Sequence, residues 1–223
     1  MVSVIALLPM KGNSERVKNK NLKDFNGKPL YHRVLKTLLS SKYINKVVIN
    51  TDSDFIKLDI EKNFNNKTVI HNRPEEIKGD FVSMNSVIAY DIEKIDADIY
   101  IQTHSTNPLL KVETLDNAIH KMLNSKSEYD SIFSVTKIQT RLYDTKGNPF
   151  NHNPNQLLRT QDLEPLYEEN SNFYIFTKQS FKNSGEKRIG VNPLMFEIDK
   201  MEAVDIDEPQ DFIIAESLYK LLR

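Results

Sequence analysis

The sequence predicts an α/β protein with a mostly parallel central sheet flanked by helices. Short runs rich in Val and Ile alternate with stretches whose apolar residues recur at spacings of three and four. Residues suited to helix starts stand between them, and the alternation is sustained over more than half the chain. Residues 2–8, 46–50, 68–71, 99–103 and 131–136 read as strands, each near five residues long. Residues 30–39, 55–64, 84–95 and 112–123 read as helices, with Asp52 and Ser83 at N-cap positions and Pro29 suited to a first turn. Residues 172–176 and 203–206 return to strand, and residues 209–222 form a closing amphipathic helix. Periodicity breaks over 137–169, which is rich in Asn, Gln, Pro and Arg. A structureless loop of that length is uncommon in a compact domain, so short strands are expected there, covering a site or meeting a second subunit.

The 223 residues suit a single domain, 1–223, with 137–169 as a dimerisation or lid excursion. Thirty Lys and Arg balance thirty-one Asp and Glu, so no global field favours nucleic acid or an anionic membrane. The lack of cysteine excludes disulfides, thiolate catalysis and cysteine-ligated metals. The N-terminus lacks a charged n-region and no apolar run reaches membrane-spanning length, so a cytoplasmic location is expected.

Charge is placed locally instead. After the first strand, residues 9–21 carry Lys11, Gly12, Asn13, Ser14, Arg16, Lys18, Lys20 and Asn21, opposed only by Glu15. Such a loop can offer backbone N–H groups and cationic side chains to a polyphosphate. It lacks the Walker A and Rossmann glycine patterns, and a solvated loop or a patch for an acidic partner has the same composition. In an open parallel sheet the ligand lies beyond the carboxyl ends of the strands, which brings residues 9–21, 51–53 and 104–108 to one edge. The second feature is the run Ala203 to Pro209. In a strand, Asp205 and Asp207 point the same way and offer Mg²⁺ a hard-oxygen seat completed by substrate phosphates. Alternatively, Asp207 and Glu208 cap the helix at Pro209. The third is Gln102 to Pro108, where His104 can bond a ligand or serve the fold, and Ser105 and Thr106 can cap a helix or contact a ribose. No Ser-His-Asp or His-Glu-x-x-His spacing supports a hydrolase.

Together these segments resemble the acylneuraminate cytidylyltransferases, the CMP-sialic acid synthetase family. Pro9 to Asn21 resembles the family's P-A-R-x-G-S-K-x-x-x-x-K-N, followed by Gly27-Lys28-Pro29-Leu30. Asn50 to Ser53 resembles its S-T-D segment, and Arg73-Pro74-Glu75-Glu76 with Asp80 and Ser83 its R-P-x-E-L-x-x-D-x-x-S block. Ser105 to Leu109 resembles T-S-P-L-R, Glu169 to Ile175 resembles E-N-G-A-I-Y-I, and Asp205 to Pro209 resembles D-I-D-T-P-E-D. The blocks are collinear over nearly the whole chain.

The resemblance implies a nucleotidyltransferase fold of the glycosyltransferase-A type with a small β excursion, usually a homodimer. It implies that CTP and an acidic 2-keto-3-deoxy sugar (sialic, legionaminic, pseudaminic or related) give a CMP-sugar and pyrophosphate. By position, Lys11, Gly12, Asn13, Ser14, Arg16, Lys20, Asn21, Arg73 and Ser83 would serve the nucleotide. His104, Ser105, Thr106, Asn170 and Tyr174 would serve the acceptor, Asp205 and Asp207 would hold Mg²⁺, and Lys20 would act with them in catalysis. The chain departs from the family at Lys11 (arginine there), Glu15 (lysine), His104 (glutamine), Leu110 (arginine) and Ser171 (glycine). A glycosyltransferase of similar fold using a preformed sugar nucleotide, or an inactive nucleotide-binding module, are the competing readings.

Overall fold

A computed structural model describes residues 2–64, 66–125 and 128–222. Seven strands form one sheet: β1 (Val4–Leu7), β2 (Lys46–Thr51), β3 (Thr68–Asn72), β4 (Ile99–Thr103), β5 (Ser131–Ile138), β6 (Leu166–Phe176) and β7 (Pro193–Glu197). Their order is β3-β2-β1-β4-β6-β5-β7. The first four are parallel, β6 is antiparallel to both β4 and β5, and β7 runs parallel to β5. Six strands therefore share one direction, as the βα alternation requires, and β6 alone runs against them.

Among the described residues there are six α-helices: α1 (Tyr31–Ser40), α2 (Asp54–Asn63), α3 (Met84–Lys94), α4 (Val112–Asn124), α5 (Lys178–Asn183) and α6 (Pro209–Leu222). Strand alternation decides which side chain meets which helix. Val4, Ala6, Val47, Ile49, Ile99 and Ile101 pack with Leu35 and Leu38 of α1, Ile56 and Ile60 of α2, and Leu115 and Ile119 of α4. Ile5, Leu7, Val48 and Tyr100 turn the other way, onto Ile88 and Ile92 of α3 and Phe181 of α5. Each fully buried Leu or Ile contributes about 1.5–3 kcal/mol, so Leu35→Ala costs about 2–5 kcal/mol once its cavity is counted. A third cluster, Val17, Phe25, Leu30, Ile206, Phe212 and Ala215, ties the segment after β1 to α6. That cluster brings residues 9–21 and 205–207 to the same place.

The sequence places the first five strands and the helices α1 to α4 and α6 within a few residues. Three points need correction. The α2 N-cap is Ser53, whose hydroxyl accepts from Ile56 N, while Asp52 accepts the Gly12 N–H at 2.7 Å. Residues 203–206 are not a strand; a backbone bond from Ile206 N to Thr106 O at 3.0 Å joins them to the turn after β4. Pro29 lies just outside α1, its carbonyl accepting from His32 N. Of the strands and α-helices, α5 and β7 have no counterpart in the sequence reading. The excursion holds extensions of β5 and β6, paired Lys137 with Tyr167 and Ile138 with Leu166, and one bridge between Tyr143 and Pro149.

Candidate active site

Past β1 the chain stays tied to β2, Leu8 N bonding Val48 O and Met10 N bonding Asn50 O, and then leaves the sheet. Gly12 permits close passage there: a Cβ on it would lie 2.9 Å from Ser53 Cβ. The loop curls into a short 3₁₀ turn, Lys20–Leu22, with Asn19 in the left-handed region at φ 52°. Asn21 links the loop to the β4 end, donating to Lys11 O at 2.9 Å and accepting from Ser105 Oγ at 2.7 Å.

These turns enclose an open cleft of about 420 Å³. Its walls bring together Lys11, Asn13, Ser14, Arg16, Lys20 and Asn21 with His104, Ser105, Thr106, Asp205 and Asp207. Opposite charges meet across it. Arg16 Nη2 lies 2.9 Å from Asp207 Oδ1 and its Nη1 3.5 Å from Glu208 Oε1. Lys20 Nζ donates to Ile206 O at 2.5 Å and lies 3.5 Å from Asp207 Oδ1. Lys11 Nζ pairs with Asp80 at 2.9 Å. Asp205 and Asp207 face the cleft from an irregular segment, so the Ile206–Thr106 bond and the Ile206 side chain set their placement, not strand alternation. At the start of α6, Glu208 O accepts from Asp211 N and Phe212 N, and Asp211 in return accepts the N–H groups of Asp207 and Glu208, while the Asp207 and Glu208 side chains pair with Arg16.

Asp205 lines the cleft as an electrostatically perturbed carboxylate. Burial first, and Asp207 second, raise its pKa above the usual carboxylate value, against a lowering bond from Thr106 and the charge of Lys20. Its Oδ1 is buried and has no hydrogen-bond partner. Two adjacent carboxylates, one with an orphaned oxygen, are a donor set suited to a hard divalent cation. Among the described residues no cluster of three metal-ligating side chains exists, so the rest of a Mg²⁺ shell would come from phosphate oxygens and water.

Other expected residues lie off the cleft wall. Arg73 is buried, its Nε and Nη2 bonding Asn50 Oδ1 and Asn50 O at 2.7 and 3.0 Å. Ser83 caps α3. Asn170 is buried and donates to Thr136 Oγ1 at 2.8 Å, while its neighbour Ser171 reaches the cleft. Ser171 stands where the family pattern has glycine and adopts φ 58°, the left-handed conformation glycine takes freely. Tyr174 is buried, its hydroxyl donating to Glu169 and accepting from Arg188 Nη2 at 3.0 Å. Arg188, Asp80 and Glu169 are the charged groups here that motif reasoning did not assign. Arg188 sits in an irregular turn outside every block, with no local signal to mark it.

A cytidylyltransferase profile matches residues 5–221. A Campylobacter jejuni pseudaminic acid cytidylyltransferase is 26% identical over 228 residues, covering 97% of this chain and 96% of that one. A Helicobacter pylori protein, named as both a pseudaminic acid cytidylyltransferase and a UDP-sugar hydrolase, is 28% identical over 221 residues. The match takes in 96% of this chain and 42% of the Helicobacter protein, so the chain spans less than half of it. A solved CMP:2-keto-3-deoxy-manno-octonic acid synthetase, complexed with CTP, superposes with a TM-score of 0.74 over 99% of this chain and 100% of its own, at 16% identity, a likeness of fold. The profile runs from the middle of β1 to the end of α6 and takes in both the cationic loop and the Asp205–Asp207 segment, and on that extent the chain belongs to the cytidylyltransferase family.

Proposed function

We propose that this protein condenses CTP with an acidic 2-keto-3-deoxy sugar of the pseudaminic, legionaminic or sialic type, giving the CMP-sugar and pyrophosphate. One observation carries this reading: a cationic loop and an aspartate pair with an orphaned oxygen face each other across one cleft. The anomeric hydroxyl attacks the α-phosphorus, the bond to the β,γ-pyrophosphate breaks, and the hydroxyl proton is released. Such a transfer needs in-line positioning and charge neutralisation more than a covalent nucleophile. Lys20, held by Ile206 O, supplies a fixed positive charge, while Lys11 and Arg16 leave their carboxylate partners for phosphate oxygens. Asn13, Ser14, Asn21 and the Gly12 backbone shape the nucleotide side, with Arg73 and Ser83 bracing the strand and helix behind it. Asp205 and Asp207 would hold Mg²⁺, which supplies charge neutralisation and a template for the phosphates. His104, Ser105 and Thr106 line the acceptor side, with Asn170 and Tyr174 supporting it. CTP as donor makes the cytoplasm the expected location.

A pyrophosphate-release screen with CTP, Mg²⁺ and a panel of nonulosonic and octulosonic acids tests this. Release dependent on both CTP and one acid is expected. Turnover of CMP- or UDP-sugars without pyrophosphate would instead indicate a glycosyltransferase, and tight CTP binding without turnover an inactive binding module. The excursion, with Tyr143, Phe150, Leu157 and Tyr167 exposed, is proposed to pair two copies. Sedimentation should then give roughly twice the 25.9 kDa chain mass, and a monomer at high concentration leaves the excursion as a lid.

A further inference from the structure

Arg188, in the turn between α5 and β7, holds a closed set of contacts behind the acceptor wall. Its guanidinium lies over the Tyr174 ring, 3.7 Å from Cζ to the centroid. Nη1 donates to Gln102 Oε1 at 2.8 Å and lies 3.3 Å from His104 Nε2, while Nη2 donates to the Tyr174 hydroxyl at 3.0 Å. Gln102 is buried and its amide nitrogen donates to Thr103 O at 2.8 Å, which fixes Oε1 toward Arg188. Glu169, 3.7 Å from Nη2 and bonded by the Tyr174 hydroxyl, closes the set.

A guanidinium has donors and no acceptor. The imidazole nitrogen that faces it therefore accepts, and the ring proton sits on Nδ1. Burial, with the charge of Arg188 next, pushes His104 down to about 4, so the ring is neutral at physiological pH; Lys20 adds to this and Asp207 opposes it. The family's glutamine at this position can turn either amide atom outward, whereas a ring held in this way has one option.

We infer that Arg188 is a positioning residue that locks His104 in its neutral Nδ1–H tautomer, so that the cleft wall offers a hydrogen-bond donor to an oxygen of the incoming acid. The identity of the acid rests on the proposed cytidylyltransferase reaction; the tautomer does not. Long-range ¹H–¹⁵N spectra of the full chain with ¹⁵N-labelled histidine, assigned with His104→Gln and recorded without substrate, should show Nδ1 protonated across pH 5–8. In Arg188→Met the His104 signals should move to the mixed tautomer of a free imidazole. The KM for the acid should rise about tenfold with the KM for CTP within about twofold, as expected from a mispaired buried donor. In a His104→Gln background the same change should cost less than about threefold. An Nε2-protonated His104 in the unmodified protein overturns the inference, and this arm stands even if Arg188→Met does not fold. An equal KM cost in both backgrounds also overturns it, because Arg188 would then touch the acid itself. If no acid is turned over, the cytidylyltransferase reading fails while the spectra still decide the tautomer.

Discussion

At the loop end of the cleft the charges stand in solvent, the Lys11 and Asp80 side chains being 39% and 62% exposed and those of Arg16 and Asp207 55% and 51%. At the acceptor end Arg188 is 20% exposed, stacked on Tyr174 and bonded to three side chains. Solvent-exposed ion pairs contribute about 0–1 kcal/mol each, so a triphosphate can exchange with Asp80 or Glu208 at little cost. A stacked guanidinium with fixed hydrogen bonds has already lost its side-chain freedom. Under the proposed reaction, the difference suits a nucleotide that enters and a pyrophosphate that leaves past the loop end, with a fixed wall for the acid at the other.

The largest break in this comparison comes at the aspartate pair that both ends share. Asp205→Asn or Asp207→Asn should lower turnover by about 10²-fold or more, read as pyrophosphate release under saturating Mg²⁺; full activity in both variants removes the metal assignment. Next come the lysines. Lys20→Met should lower kcat/KM by roughly 10²-fold, because Lys20 is held by Ile206 O, whereas Lys11→Met should raise the KM for CTP by about tenfold or less. Equal losses would mean that the loop end is as fixed as the acceptor end.

A pH series sharpens the contrast. His104 falls from 6.5 to about 4 on folding, so the unfolded chain binds its proton first as pH drops. Its contribution is complete above about pH 6.5 and fades toward pH 4, by about 3 kcal/mol in all. His32, also lowered by burial, acts in the same sense, so the readout is the difference in urea stability between the unmodified protein and His104→Gln. That difference should shrink on acidification; a constant gap contradicts a desolvated His104. The smallest effect belongs to Asp80→Asn, which should change stability by less than about 1 kcal/mol.

Much of the fold was legible because β1 to β4 sit in βα units, where period and capping agree. The short α5 and edge strand β7 escaped because six-residue and five-residue elements carry too little pattern. In the site, Lys11 to Asn21 and Asp205 to Asp207 were visible as local runs of charge. Strand alternation gave the wrong reason for the aspartates, since the Val17–Phe25–Phe212 cluster is a long-range contact that no window of sequence reveals. Arg188 was invisible for a related reason: its meaning lies in Tyr174, Gln102 and His104, distant in sequence and brought together by β4 and β6.

The reaction itself is tested most directly by oxygen labelling. With CTP, Mg²⁺ and an accepted acid carrying ¹⁸O at its anomeric hydroxyl, mass spectrometry should find the label bridging sugar and phosphorus in the CMP-product, with unlabelled pyrophosphate in equal amount. Label in the pyrophosphate, or a CMP-product without ¹⁸O, would contradict attack of the acid on the α-phosphorus of CTP.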